Sequence, residues 1–173
     1  GDAVGAYHDE HGDHGGVEDG RVPSPPPPPS AAACWPARKK LQRDLVEAAM
    51  WGTPVDVIRL LRAGAHPDMP DAAGTTPLYR AAVHGVAENV RVLTAAGADP
   101  DRESGTGDEG LPLCAAACWG HDAAVRELLA AGADPRLRED GGHGMTALEW
   151  ARAGGHQRSL DLMSGTHSLQ QPR

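Results

Sequence analysis

One phrase occurs three times in this chain: LLRAGAHPD at residues 60–68, LTAAGADPD at 93–101 and LLAAGADPR at 128–136. Its central glycines, Gly64, Gly97 and Gly132, are spaced by 33 and 35 residues. A second series, Gly52, Gly85, Gly120 and Gly155, runs twelve residues ahead with spacings of 33, 35 and 35. Two glycine series in step over three units, the second continuing into a fourth, exceed what composition alone would produce. A period of this length predicts a stacked array of small supersecondary units rather than one closed domain.

Each unit reads as two short helices. In the second, GTTPLYRAAVHG opens with Thr76, whose hydroxyl can cap a helix, and Pro77 suits the first helical position. Leu78, Ala81 and Ala82 follow at helical spacing, and Gly85 ends the segment. AENVRVLTAAG then predicts a second helix with Val90, Leu93 and Ala96 on one face and Gly97 at its end. The ADPD beyond it is turn chemistry. The first unit has RDLVEAAMWG then VDVIRLLRAG, the third LPLCAAACWG then AAVRELLAAG, and the fourth MTALEWARAGG then QRSLDLM. Helices this short are marginal alone, so only stacking can bury their Val and Leu faces. The alanine pairs 48–49, 81–82 and 116–117 let neighbouring first helices approach closely.

DAAGTTPLYRAAVHG followed by VRVLTAAGADPD resembles the ankyrin repeat, with its Gly-x-Thr-Pro-Leu-His-x-Ala-Ala start and Gly-Ala-Asp ending. The resemblance covers about residues 41–163 and is highly specific. It implies an all-α solenoid of four repeats, at about 41–70, 71–103, 104–138 and 139–163 of a domain spanning 37–163. Departures are visible. Tyr79, Cys114 and Glu149 replace the usual His after Leu, and Leu111 replaces the capping Thr, so the third unit's first helix should fray more readily. The first unit lacks Thr-Pro, and the fourth stops after Met163 without Gly-Ala-Asp; these are atypical capping units or edges of a longer array.

Composition narrows the function classes. Residues 1–33 carry six acids against Arg21 alone, while the remaining 140 residues hold 18 acids and 15 bases. The body is nearly neutral and lacks the basic face that nucleic acid or anionic lipid requires. Residues 1–36, acidic and rich in His and Gly before the run Pro25–Pro29, are expected to be a disordered arm with a stiff proline spacer; residues 164–173 are expected to be a disordered tail. Such a proline run could also dock on an adaptor groove. Three cysteines without paired spacing suit a reducing, cytoplasmic setting. Nothing approaches a membrane span, and no leader pattern opens the chain, whose first residue, Gly rather than Met, is compatible with a piece of something longer. No phosphate loop, HExxH helix or nucleophile elbow is present, so a non-enzymatic, cofactor-free monomer is expected.

The resemblance implies a concave surface that takes a protein partner. Its exposed residues would be the two before each helix-ending Gly: Met50–Trp51, Val83–His84, Cys118–Trp119 and Ala153–Gly154. Trp51, His84 and Trp119 would form a ladder beside Met50, Val83 and Cys118. Exposed tryptophans suit a binding hot spot; alternatively each seals the core over its neighbour. Arg80, in the middle of the second inner helix, adds a further candidate, with Glu47 and Trp150 at the equivalent positions. The loops 101–110 and 136–144, lengthened in the third and fourth units, offer charged tips including Arg102, Asp108, Glu109 and Arg138, or are solvated edges that have drifted. HDEHGDH places His8, His11 and His14 among carboxylates, a weak metal candidate for lack of a fold to fix the geometry. Cys114, Cys118 and His121 stand at helical spacings, but Gly120 turns His121 away, and the cysteines read as small apolar groups. Two further readings stay open: a regulatory repeat segment of a larger protein, and metal handling by the arm.

Overall fold

The computed structural model describes the backbone of residues 31–169 and the side chains of 36–165. The arm up to residue 30, with His8, His11 and His14, and the last four residues lie outside that range. The described residues form helices α1 (Ala31–Trp51), α2 (Pro54–Arg62), α3 (Pro77–Val83), α4 (Ala87–Ala95), α5 (Pro112–Trp119), α6 (Asp122–Ala130), the single turn α7 (Glu139–Gly142), α8 (Ala147–Gly154) and α9 (Gln157–Leu169). The pairs α1–α2, α3–α4, α5–α6 and α8–α9 are the four units. α1, α3, α5 and α8 pack in sequence as one layer, and α2, α4, α6 and α9 as a second. The outermost helices run past the boundaries read from sequence: α1 begins at Ala31, before 37, and α9 continues beyond Met163 to Leu169.

Local chemistry starts the helices where the sequence predicts. Thr76 caps α3 by accepting from the Tyr79 N–H, with Pro77 at the first position. Thr53 with Asp56 on α2, and Thr146 with Glu149 on α8, form reciprocal capping boxes. α5 lacks a side-chain cap, as expected from Leu111. That leucine is instead buried, and its N–H donates across 28 residues to Glu139 Oε1 at 3.1 Å. The second unit makes the equivalent bond through Ser104, whose Oγ accepts from the Thr76 N–H at 2.9 Å. Ser104 and Glu139 are 35 residues apart and hold the same register position.

The core is a column of equivalent side chains. Val57, Val90 and Val125 are fully buried, as are Leu93 and Leu128, with Met163 at 1% exposure. Ala81, Ala82, Ala116 and Ala117 are at 0%, which lets the first helices pack closely. Burying one such Leu or Val contributes about 1.5–3 kcal/mol. No unit of two short helices could bury these faces by itself.

Polar groups stitch neighbouring units together. Asn89 on α4 donates through Nδ2 to the carbonyls of Ala48 (3.3 Å), Ala49 (3.1 Å) and Gly52 (3.0 Å), closing the C-terminal end of α1. His121 reaches the Val83 carbonyl through Nε2 at 3.0 Å, and His156 reaches the Cys118 carbonyl at 3.0 Å. A carbonyl only accepts, so both rings carry their proton on Nε2. These rings also account for two glycines. Gly85 and Gly120 both adopt φ near +69°, and a methyl group on either would come within 2.5 Å of the next unit's imidazole Nδ1. The recurring Asp likewise links one unit to the next. Asp68 Oδ1 accepts from the Asp99 N–H at 3.1 Å, and Asp101 Oδ1 from the Asp134 N–H at 2.9 Å.

Candidate functional site

The first-helix layer presents the residues that precede each helix-ending glycine. Trp51 and Trp119 are 74% and 66% exposed, whereas Tyr79 and Trp150 are half-buried. The structure therefore answers one question left by the sequence: neither indole is consumed in sealing the core. The Trp51 and His84 rings pack at 4.9 Å between centroids, tilted by 53°. Desolvation, with Arg80 and His121 nearby, lowers the His84 pKa, which favours a neutral imidazole beside the indole at neutral pH. Trp119 makes no ring contact among the described residues. The continuous ladder expected from sequence is thus one tilted ring pair with a second, separate indole. Met50, Val83 and Cys118 are half-buried beside them.

The remaining candidates are more occupied than the sequence suggested. Glu109 is corrected from a free loop tip to an anchor: it accepts from Thr75 Oγ1 at 2.7 Å and Ser104 Oγ at 2.5 Å, with Arg80 at 3.9 Å. Trp150 is corrected likewise. It packs half-buried against the core and donates its indole N–H to Glu139 Oε2 at 2.8 Å. Arg102 pairs with Asp68 at 3.0 Å, and Arg138 with Glu149 at 3.1 Å while also reaching the Gly144 carbonyl. Asp108 stays exposed at its loop. The charged loops therefore spend most of their charge holding themselves against the stack.

Glu139 is the site residue whose role the sequence concealed. In sequence it is one more charge in the loop 136–144. In the fold its carboxylate binds the Leu111 N–H and the Trp150 indole together, half-buried. Desolvation pushes its pKa up despite those donors. Cys114 is buried beside it, its thiol pushed up by burial and by that carboxylate. Cys114 is therefore a poor nucleophile in this setting. No group of three or more His, Cys, Asp or Glu among the described residues is arranged to hold a metal ion.

Trp51 and Glu47 also belong to a second surface, which single-unit patterns do not reveal. An open groove of about 410 Å³ lies on the first unit, with Asp44, Glu47 and Trp51 from α1 and Asp56, Arg59 and Leu60 from α2 in its lining. The signal was available in the register. Aligning the units on their glycines places Asp44 with Pro77 and Pro112, and Asp56 with Asn89, Ala124 and Ser159. Charged residues at positions that are apolar or buried elsewhere mark an uncovered face.

Comparison with known proteins agrees with this architecture. A family model described as ankyrin repeats (3 copies) matches residues 45–139; the fourth helix pair, α8–α9, follows that stretch. The inactive serine/threonine-protein kinase TEX14 of Bos taurus is 36% identical over 123 residues, 71% of this chain. The chain covers 8% of that relative's length. No helix among the described residues is long and apolar enough to cross a membrane. Ankyrin repeats are in general non-enzymatic modules for protein–protein interaction. On period, helix pairs and family match together, the chain belongs to the ankyrin-repeat family.

Proposed function

We propose that this chain recognises a partner protein, without catalysis or cofactor, through the free face of its first-helix layer. The supporting observation is the exposure of Trp51 and Trp119 at equivalent positions on a rigid stack, with His84 packed under the first. A large ring held by a packed helix loses little entropy on binding, and tryptophan is the residue most enriched in binding hot spots. Arg80, on α3 of the same layer, and Asp108, exposed on the 101–110 loop, would supply the polar rim in this reading. The protein works as a monomer, in the cytoplasm, in this reading.

The test is the double variant Trp51→Ala, Trp119→Ala. Because both rings are exposed, thermal unfolding is expected to move by no more than about 2–4 °C. Partner capture, compared with the intact chain, is expected to fall at least tenfold. A variant that loses its fold while its residual folded fraction captures normally contradicts the proposal.

A second reading is favoured by the relative whose length this chain covers only to 8%. Here the repeats serve as a targeting or regulatory segment of a larger protein. The full open reading frame separates the two.

A further inference from the structure

We propose that the groove on the first unit docks a basic helical segment of the partner, seating an Arg or Lys side chain between the Trp51 indole and the carboxylates of Asp44, Glu47 and Asp56. The proposal rests on the reading that the chain recognises another protein, and it assigns a chemistry to that protein.

The register shows that this face is built for packing. The positions equivalent to Ala48 are Ala81, Ala116 and Ala151, all at 0% exposure. Those equivalent to Leu60 are Leu93, Leu128 and Met163, at 0%, 0% and 1%. Those equivalent to Asp56 are Asn89, Ala124 and Ser159, all at 0%. In each case the preceding helix pair of the stack provides the cover. In the first unit Ala48, Asp56 and Leu60 remain half-exposed and line a groove of about 410 Å³. What covers such a face elsewhere in the molecule is helix, and a helix laid into a groove is a recurrent mode of recognition.

Charge selects the occupant. The lining holds Asp44, Glu47 and Asp56 against Arg59 alone. Lys40 at 2.8 Å and Arg43 at 3.9 Å pair with Asp44 along α1, and Arg59 at 3.1 Å pairs with Asp56 along α2, but these are exposed pairs that exchange readily; Asp56 keeps its other oxygen on Thr53 in the capping box of α2. Glu47 is in no ion pair among the described residues. A cation placed here gains these carboxylates and the Trp51 face, while its aliphatic stem covers Leu60 and Ala48. The chain's own segment 1–33, with six acids and one base, carries the wrong sign to compete.

The experiment titrates the full chain with an amphipathic helical peptide of Leu, Ala and Arg, and with its twin carrying Glu for Arg. The Arg peptide is expected to bind in a salt-dependent manner and to shift the Trp51 indole signal. Asp44→Lys with Glu47→Lys, or the exposed Glu47→Lys alone if the pair disturbs folding, should weaken binding about tenfold. Glu88→Lys on α4, a charge change away from the groove, should leave binding unchanged. Equal binding by the groove variants, equal binding of the Glu twin, or affinity weaker than about 1 mM overturns the proposal. So does concentration-dependent self-association that Glu47→Lys abolishes, which would make a second copy the occupant. Failure of the wider ridge reading shows separately, as partner capture that survives loss of Trp119.

Discussion

Two faces of this molecule carry the same register and have opposite fates. Between units, the positions of Leu93, Leu128 and Met163 are sealed from solvent. On the open side of the first unit, Leu60 holds the same position and lies in a groove. The comparison teaches that burial in a stacked fold is conferred by the neighbour and not by the helix that bears the side chain. The chain answers with chemistry suited to each face. Asn89 sits at 0% exposure and closes the end of α1, whereas Asp56, its equivalent, caps its own helix and faces solvent.

That contrast can be broken first at Asn89. Asn89→Ala removes three hydrogen bonds to the carbonyls of Ala48, Ala49 and Gly52 and is expected to cost about 1–3 kcal/mol in urea unfolding. Asn89 Oδ1 is itself the one buried side-chain polar atom without a partner among the described residues, which keeps the loss from being larger. Asp56→Asn retains a capping side chain and is expected to leave the urea midpoint nearly unchanged. Equal costs at the two positions would mean that stacking does not distinguish them.

A smaller effect sharpens the comparison through pH. Burial raises the pKa of Glu139, so the folded state holds that proton more tightly than the unfolded chain does. Its contribution is favourable below the unfolded carboxylate pKa and is lost as pH rises through the folded value. Glu149 behaves oppositely. The Thr146 N–H and Arg138 hold its pKa down, so its contribution is present above the unfolded pKa and is lost on acidification. Glu139→Gln is therefore expected to make stability rise more steeply with pH across the carboxylate range. Urea midpoints measured from about pH 4 to neutral check this. An unchanged slope would show that Glu139 is not desolvated in solution.

The stack itself was legible because each unit restates it: Thr76 and Pro77 start a helix, Gly85 stops it, and Leu93 returns to the core. The exposed indoles were legible for the same reason, since Trp51 and Trp119 share a position relative to their glycines. Contacts across units were not. Nothing near Glu139 announces that it will bind Leu111, 28 residues earlier, or Trp150, 11 residues later. Glu109 read as a loop charge because its partners Thr75 and Ser104 meet only once the loops fold back. Single-unit patterns report the helices; the polar cross-links between units become visible only when equivalent positions are compared across the whole array.

The most direct measurement is the difference in unfolding free energy between Leu93→Ala and Leu60→Ala, the same change at one register position on the two faces. A fully buried leucine lost inside the stack is expected to cost about 2–5 kcal/mol, and Leu60, covered on one side only, at least about 1 kcal/mol less. Equal losses would contradict the account, because the open face of the first unit would then be as tightly packed as the seams between its neighbours.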